Sequence, residues 1–130
     1  MQARKRTAQV LACLGSLILL VGAALHSTVG YRAIFGPLQG TTAPQENVLG
    51  LKTIWFLYAW HGIAIGIVAI LASFVRKAPH RAILLFCGIV ELVDATGIYA
   101  ALGIFIGDEI SFSCAVAYLA AAALFPSEQH

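Results

Sequence analysis

Four ionisable residues lie inside long apolar stretches of this sequence: His26, His61, Glu91 and Asp94. An ionisable side chain in hydrocarbon is costly unless it is paired or hydrated, so each of these residues requires an explanation. Glu91 and Asp94 are three residues apart and share one face of a predicted helix. Two carboxylates at that spacing cannot both be ionised in a low dielectric, so we expect them to share a proton.

Buried carboxylic acids and histidines are the groups that general acid–base catalysis requires. The sequence therefore predicts an intramembrane catalytic site in which Glu91 and Asp94 form the acid pair. His61 is the predicted base or orienting residue, and His26 is expected to lie at the entrance. These groups would suit isomerisation, cyclisation or epoxide opening of a lipophilic terpenoid, sterol or quinone-like molecule.

Aromatic side chains follow the same stretches and could stabilise a developing carbocation through cation–π attraction. A polar stripe in the last apolar run adds hydroxyl and thiol groups to the predicted site. The candidate substrate-binding residues are His26, Trp55, Tyr58, Trp60, Tyr99, Cys114 and Tyr118.

Other interpretations of the polar residues remain open. Haem b could use His26 and His61, although their predicted depths differ by about 7 Å, which is poor for one porphyrin. A non-haem metal could use both histidines and a carboxylate. We predict neither a metal nor another cofactor. A small proton-coupled transporter would need a homodimer, because the chain is too short for two inverted repeats. The polar groups could also face a partner in a larger complex, with the chain as an accessory subunit.

The elements that position these residues are four apolar runs, at about residues 8–30, 53–75, 82–106 and 110–125. The chain of 130 residues is 60% hydrophobic and only 11% charged, too little charge for the surface of a soluble domain. About 20 residues cross a bilayer as a helix, so three runs suffice and the last is marginal. We interpret the first run as a membrane helix and not a cleaved signal peptide, because it is long enough to span. The expected fold is all-α, one domain over residues 1–130, an antiparallel bundle of four transmembrane helices.

The basic residues predict the orientation of this bundle. Three precede the first run, two lie in the first loop, three lie in the second loop and none lies in the third: Arg4, Lys5 and Arg6, then Arg32 and Lys52, then Arg76, Lys77 and Arg81. By the positive-inside rule both termini are cytoplasmic. We expect an integral protein of the bacterial inner membrane. Two short basic clusters give little support for nucleic-acid binding.

Small residues and cysteines complete the prediction. Gly62 and Gly66 form a small-xxx-small pair, the pattern of closely packed membrane helices. The three cysteines lack metal-site spacing and are odd in number, so we interpret them as small buried residues. Glycine faces left over on a chain this small predict a homo-oligomer. The expected partners are therefore the lipid bilayer, further copies of the chain and an apolar small-molecule ligand, with no nucleic acid.

Overall fold

The part of the chain that the computed structural model describes, residues 2–42, 44–75, 78–104 and 106–126 without the side chain of residue 102, is helical apart from the segments that connect or follow the helices. The elements are α1 (Gln2–Leu25), a π-helical turn (His26–Gly30), α2 (Tyr31–Phe35), α3 (Gln45–Phe74), α4 (His80–Leu102) and α5 (Ile106–Leu124). The predicted basic residues Arg76 and Lys77 lie outside the described residues, as does residue 105 in the third predicted run.

Four helical segments are long and apolar enough to cross a membrane: Gln2–Phe35, Gln45–Phe74, His80–Ala101 and Ile106–Leu124. The first of them combines α1, the π-helical turn and α2. Many large apolar side chains on all four segments point away from the helix contacts, among them Leu17, Leu57, Val93 and Phe112. Lipid is the solvent that suits such a surface, so the all-helical fold is that of an integral membrane protein.

The helix ends differ from the predicted ones. The prediction used the limits of the apolar runs, whereas backbone hydrogen bonds, proline and glycine determine where a helix begins and ends. α3 begins at Gln45, directly after Pro44, whose carbonyl accepts hydrogen bonds from the N–H groups of Asn47 and Val48. α4 ends earlier than predicted, since Gly103 has a φ of 73°, the left-handed conformation that terminates helices. α5 ends before Pro126, which cannot continue the backbone hydrogen-bond ladder.

Helix α5 packs against α1 and α4, and α1 also packs against α3. Small residues allow these close approaches, as the sequence predicts: a β-carbon added at Gly88 would lie 2.7 Å from the Leu119 side chain. Among the described residues, hydrogen bonds join α1 to α5. Arg4 donates to the Ala123 carbonyl, Ser16 shares a bond with Tyr118, and Cys114 donates to the Gly15 carbonyl. Nearer the other end of this contact, Gly22 of α1 and Ile110 of α5 line a cavity.

Candidate functional site

A cavity of about 280 Å³ lies between the helices, with walls from α1, the π-helical turn, α3, α4 and α5. Most of its lining is apolar. The polar or ionisable side chains on its wall are few and come from four different elements: His26, Trp55, Tyr58, His61, Glu91, Asp94 and Ser111. An apolar space with a few convergent polar groups is the usual form of a small-molecule site.

Three ionisable side chains meet at one place on this wall: His61 from α3, and Glu91 and Asp94 from α4. We call them the triad. One ligand-type atom of each lies within 4.8 Å of the others. The spacing of three residues within α4 places both carboxylates on one helix face, as the sequence predicts. Helix packing then brings that face toward His61.

Within the triad, Asp94 contacts His61. Asp94 Oδ2 lies 3.0 Å from His61 Nε2, although this oxygen accepts no hydrogen bond of normal geometry. Both side chains keep part of their accessible surface, 42% for His61 and 25% for Asp94. The carboxylate is therefore placed to orient the imidazole, while the ring stays accessible to a ligand.

Glu91 is the most unusual residue of the site. It is 1% exposed, and neither carboxylate oxygen makes a hydrogen bond of normal geometry with the described residues, although the Ser111 hydroxyl of α5 lies close to it. A buried polar atom without a partner typically costs about 1–3 kcal/mol, and charged groups cost more. Such groups are uncommon in folded proteins and are often explained by catalysis or by a bound ion or water.

His26 lies in the π-helical turn and is tied to Trp55. The two rings stack with centroids 3.7 Å apart and planes 12° from parallel. His26 Nε2 lies 3.1 Å from the Trp55 carbonyl, which can only accept, so Nε2 carries the hydrogen. In return, Trp55 Nε1 donates to the His26 carbonyl at 3.0 Å. The same carbonyl accepts the N–H of Tyr31, the i→i+5 bond that makes this turn a π-helix.

Tyr58 and Ser111 form a second polar contact on the cavity wall. Their hydroxyl oxygens lie 3.2 Å apart, linking α3 to α5. The Tyr58 ring lies between the two histidines, 5.4 Å from the His26 centroid and 6.4 Å from that of His61. This hydroxyl pair is therefore the neutral polar part of a site whose ionisable part is the triad.

No protein-family model, characterised protein or solved structure matches this chain. The side chains around the cavity are consequently the basis on which a function can be assigned.

Of the predicted site residues, six line the cavity: His26, Trp55, Tyr58, His61, Glu91 and Asp94. The other four lie elsewhere. Trp60 and Tyr99 are on the outer surface, 66% and 57% exposed. Cys114 and Tyr118 are buried against α1, where they bond Gly15 and Ser16. In this arrangement the latter two hold helices together, and a contact with substrate would require a rearrangement.

Two features of the site were not predicted. Ser111 belongs to the polar stripe of the last run, yet it is the member of that stripe that reaches the cavity, bonded to Tyr58. In the sequence, only its i, i+3 spacing to Cys114 indicated Ser111. No sequence pattern indicated the π-helical turn at His26–Gly30, because an i→i+5 hydrogen bond does not change the spacing of apolar residues.

Proposed function

We propose that this protein is an integral membrane acid–base enzyme that isomerises, cyclises or opens the epoxide of an apolar small molecule held in the cavity. The observation that carries the proposal is the unpartnered, buried carboxyl group of Glu91 beside the His61–Asp94 pair. An acid and a base with different environments, facing one apolar space, are the two groups that such reactions need.

Glu91 is the proton donor in this proposal. An ionised carboxylate buried without a partner is strongly unfavourable, so the neutral acid is the form that suits its surroundings. No lysine or arginine is among the described residues that line the cavity, so none offers Glu91 a cationic partner there. A neutral carboxyl group can deliver its proton to an alkene carbon or an epoxide oxygen.

His61 is the base, and Asp94 is its positioning residue. When Glu91 gives a proton to the substrate, His61 removes one from a neighbouring carbon, so that the net result is a shifted double bond. The catalyst is then left with an ionised Glu91 and a protonated His61. Because their atoms lie within 4.8 Å, the proton returns directly or through one water and the cycle closes.

The substrate class follows from the walls of the cavity. Apolar side chains such as Leu19, Val29 and Ile110 offer no hydrogen bond, and the space of about 280 Å³ is at the small end of ligand sites, about 300–1,000 Å³. Trp55 and Tyr58 supply aromatic surface near the triad, which can stabilise positive charge on a carbon atom. A small terpenoid, or the corresponding part of a sterol or quinone-like lipid, fits these conditions.

Deuterium exchange tests this proposal without requiring that the substrate be identified first. The protein in detergent is incubated with a membrane lipid extract in D₂O, and the lipids are analysed by mass spectrometry. We expect the wild type to place deuterium on carbon in at least one apolar species, or to convert an epoxide in the extract to an alcohol, and Glu91→Gln and Asp94→Asn to lose this activity. A wild type that does neither, or full activity of both variants, would overturn the proposal.

A matched pair of cavity variants separates binding from chemistry. Ala59 lines the cavity, whereas Ala64 is exposed on the same helix. Ala59→Phe should fill the space, so it should abolish both exchange and any co-purifying apolar ligand. Ala64→Phe should leave both unchanged. Equal effects of the two variants would contradict a ligand in this cavity.

A bis-histidine haem site is less compatible with the same geometry. His26 would have to give up its Nε2 bond to Trp55 and its stack on the indole ring before it could bind iron. The acid–base function requires no such rearrangement.

The proposed setting is the bacterial inner membrane, with antiparallel helices and both termini cytoplasmic. The order of contacts between α1 and α5 supports the antiparallel part: Arg4 meets Ala123, and Gly22 lies beside Ile110. The basic residues before the first span support the orientation. A homo-oligomer is part of the same proposal, supported by exposed glycines such as Gly50 and Gly97, which have no neighbour within 4 Å of an added β-carbon.

A further inference from the structure

The triad has the composition of a metal site as well as that of an acid–base site. It offers one imidazole nitrogen and two carboxylate groups, all on a cavity wall and within 4.8 Å of one another. Histidine and carboxylate are common ligands of divalent transition metals, and three protein ligands with an open position are typical of catalytic sites.

Glu91 gives the independent observation that a cluster of acidic residues alone would lack. Its side chain is 1% exposed, lines the cavity, and has two oxygens without a hydrogen-bond partner among the described residues. Those oxygens retain free lone pairs, and Glu91 lines the same cavity as His61 and Asp94. A cation at that point would satisfy them.

Charge balance points in the same direction. Metal binding requires both carboxylates to be ionised, and the described lining contains no lysine or arginine to neutralise their two negative charges. One divalent cation cancels both charges, which removes the main cost of burying the pair. From these observations we propose that His61, Glu91 and Asp94 bind one divalent transition-metal ion in the membrane-embedded cavity.

The distances suit such an ion after a small adjustment. Ligand atoms about 2.1 Å from a tetrahedral metal lie about 3.4 Å apart. His61 Nε2 and Asp94 Oδ2 are already 3.0 Å apart. The widest separation in the triad, at most 4.8 Å, exceeds the tetrahedral value by about 1.4 Å, which side-chain rotations on α3 and α4 can close. The remaining coordination position faces the apolar cavity.

The imidazole ligand favours Zn²⁺ or Co²⁺ over Mg²⁺, which prefers oxygen ligands and keeps its water. Binding is a property separate from the proposed acid–base reaction, because a metal on Glu91 takes the place of the proton that the reaction uses. Metal binding is therefore expected to inhibit exchange, and its presence or absence can be measured without any substrate.

Metal binding is tested with the full chain in detergent, stripped with chelator and titrated with Zn²⁺, Co²⁺ and, for comparison, Mg²⁺. We expect one tightly bound Zn²⁺ per chain by calorimetry, a visible Co²⁺ absorption band of a four- or five-coordinate site, and no comparable Mg²⁺ binding. Absence of stoichiometric Zn²⁺ binding, or equal binding of Mg²⁺, would overturn the proposal.

Variants assign the ligands. His61→Asn, Glu91→Gln and Asp94→Asn should each weaken Zn²⁺ binding by at least about tenfold. Glu46→Gln removes a carboxylate outside the triad, and should bind as the wild type does. Each variant is first shown to have the wild-type circular dichroism and elution volume. Because a lost fold could imitate lost binding, X-ray absorption of the zinc-loaded wild type is the second measurement: an imidazole bound directly to the zinc supports the site, and its absence contradicts it.

The two proposals fail in distinguishable ways. Carbon-bound deuterium without Zn²⁺ binding leaves the acid–base function and removes the metal site. Zn²⁺ binding by the triad with no exchange in chelator-treated protein supports the metal site and removes the acid–base function.

Discussion

At the scale of single residues, the two carboxyl groups of the site differ in their surroundings, and so do the two histidines. Glu91 is buried and unpartnered, whereas Asp94, one helical turn later, contacts His61. His26 is held by two hydrogen bonds and a stacked indole, whereas His61 keeps an accessible ring. Environment therefore separates residues that in the sequence look equivalent.

The first prediction at this scale concerns the stability cost of Glu91. Glu91→Met replaces an unpartnered buried carboxyl with an apolar side chain of similar length, so unfolding in detergent should become about 1–3 kcal/mol less favourable. Deuterium exchange should be lost in the same variant. The control, Glu46→Met, changes an exposed residue and should alter stability by less than about 0.5 kcal/mol. A destabilised Glu91→Met protein would show that the carboxyl has a partner.

The second prediction at this scale compares the two tryptophans. Trp55→Phe removes the N–H bond to the His26 carbonyl and weakens the stack, so it should destabilise the protein by about 1–2 kcal/mol in thermal unfolding. Trp60→Phe changes a side chain that is 66% exposed and should have little effect. If Trp60→Phe were the more harmful change, the assignment of Trp55 as the anchor of His26 would be wrong.

At the scale of helices, small residues allow particular helices to pack closely, and proline and glycine terminate the helices. α5 is central, because it contacts both α1 and α4. Its contact with α1 uses Cys114 and Tyr118, while Ser111 one turn earlier reaches the cavity. The π-helical turn then places His26 against α3, and this placement closes one end of the cavity.

Two glycines of α4 test this account of helix packing. A β-carbon at Gly88 would lie 2.7 Å from Leu119 Cγ and 3.2 Å from the Leu119 backbone nitrogen, whereas Gly97 has nothing within 4 Å. Gly88→Ala should therefore separate α4 from α5 and destabilise the protein by about 1–3 kcal/mol. Gly97→Ala should be neutral or stabilising by up to about 1 kcal/mol, because alanine favours helix. The opposite order in a denaturation series would contradict the α4–α5 contact.

At the scale of the whole molecule, four apolar helical segments contain a cavity with a few polar and ionisable side chains on its wall. Charged residues are confined to the ends of the spans, apart from the triad, in the part of the chain that is described. This distribution makes the orientation of the chain a measurable property.

Cysteine labelling of intact cells measures that orientation. In a background with Cys13, Cys87 and Cys114 replaced by alanine, Thr42→Cys in the first loop should react with a membrane-impermeant maleimide from outside. Ala78→Cys in the second loop should react only after the membrane is broken, because the basic residues keep that loop inside. External labelling of Ala78→Cys with protection of Thr42→Cys would invert the proposed topology.

The sequence by itself determined the class of fold and most of the site's composition. Four apolar runs, with 11% charged residues, require helices in lipid, since a membrane leaves no other way to satisfy the backbone of a single short chain. The rarity of ionisable groups in such runs was enough to select His26, His61, Glu91 and Asp94, all of which line one cavity.

Only the tertiary structure decided how those groups are paired. The spacing in α4 predicted that Glu91 and Asp94 share a face. The packing of α3 against α4 brings His61 into contact with Asp94, whereas the Glu91 oxygens make no hydrogen bond of normal geometry with the described residues. Helical periodicity likewise cannot tell which neighbouring helix a face contacts. In the structure, Cys114 and Tyr118 contact α1, whereas Ser111 lines the cavity. The physical reason is that a sequence pattern fixes directions around one helix axis, whereas contacts depend on the rotation of each helix against the next.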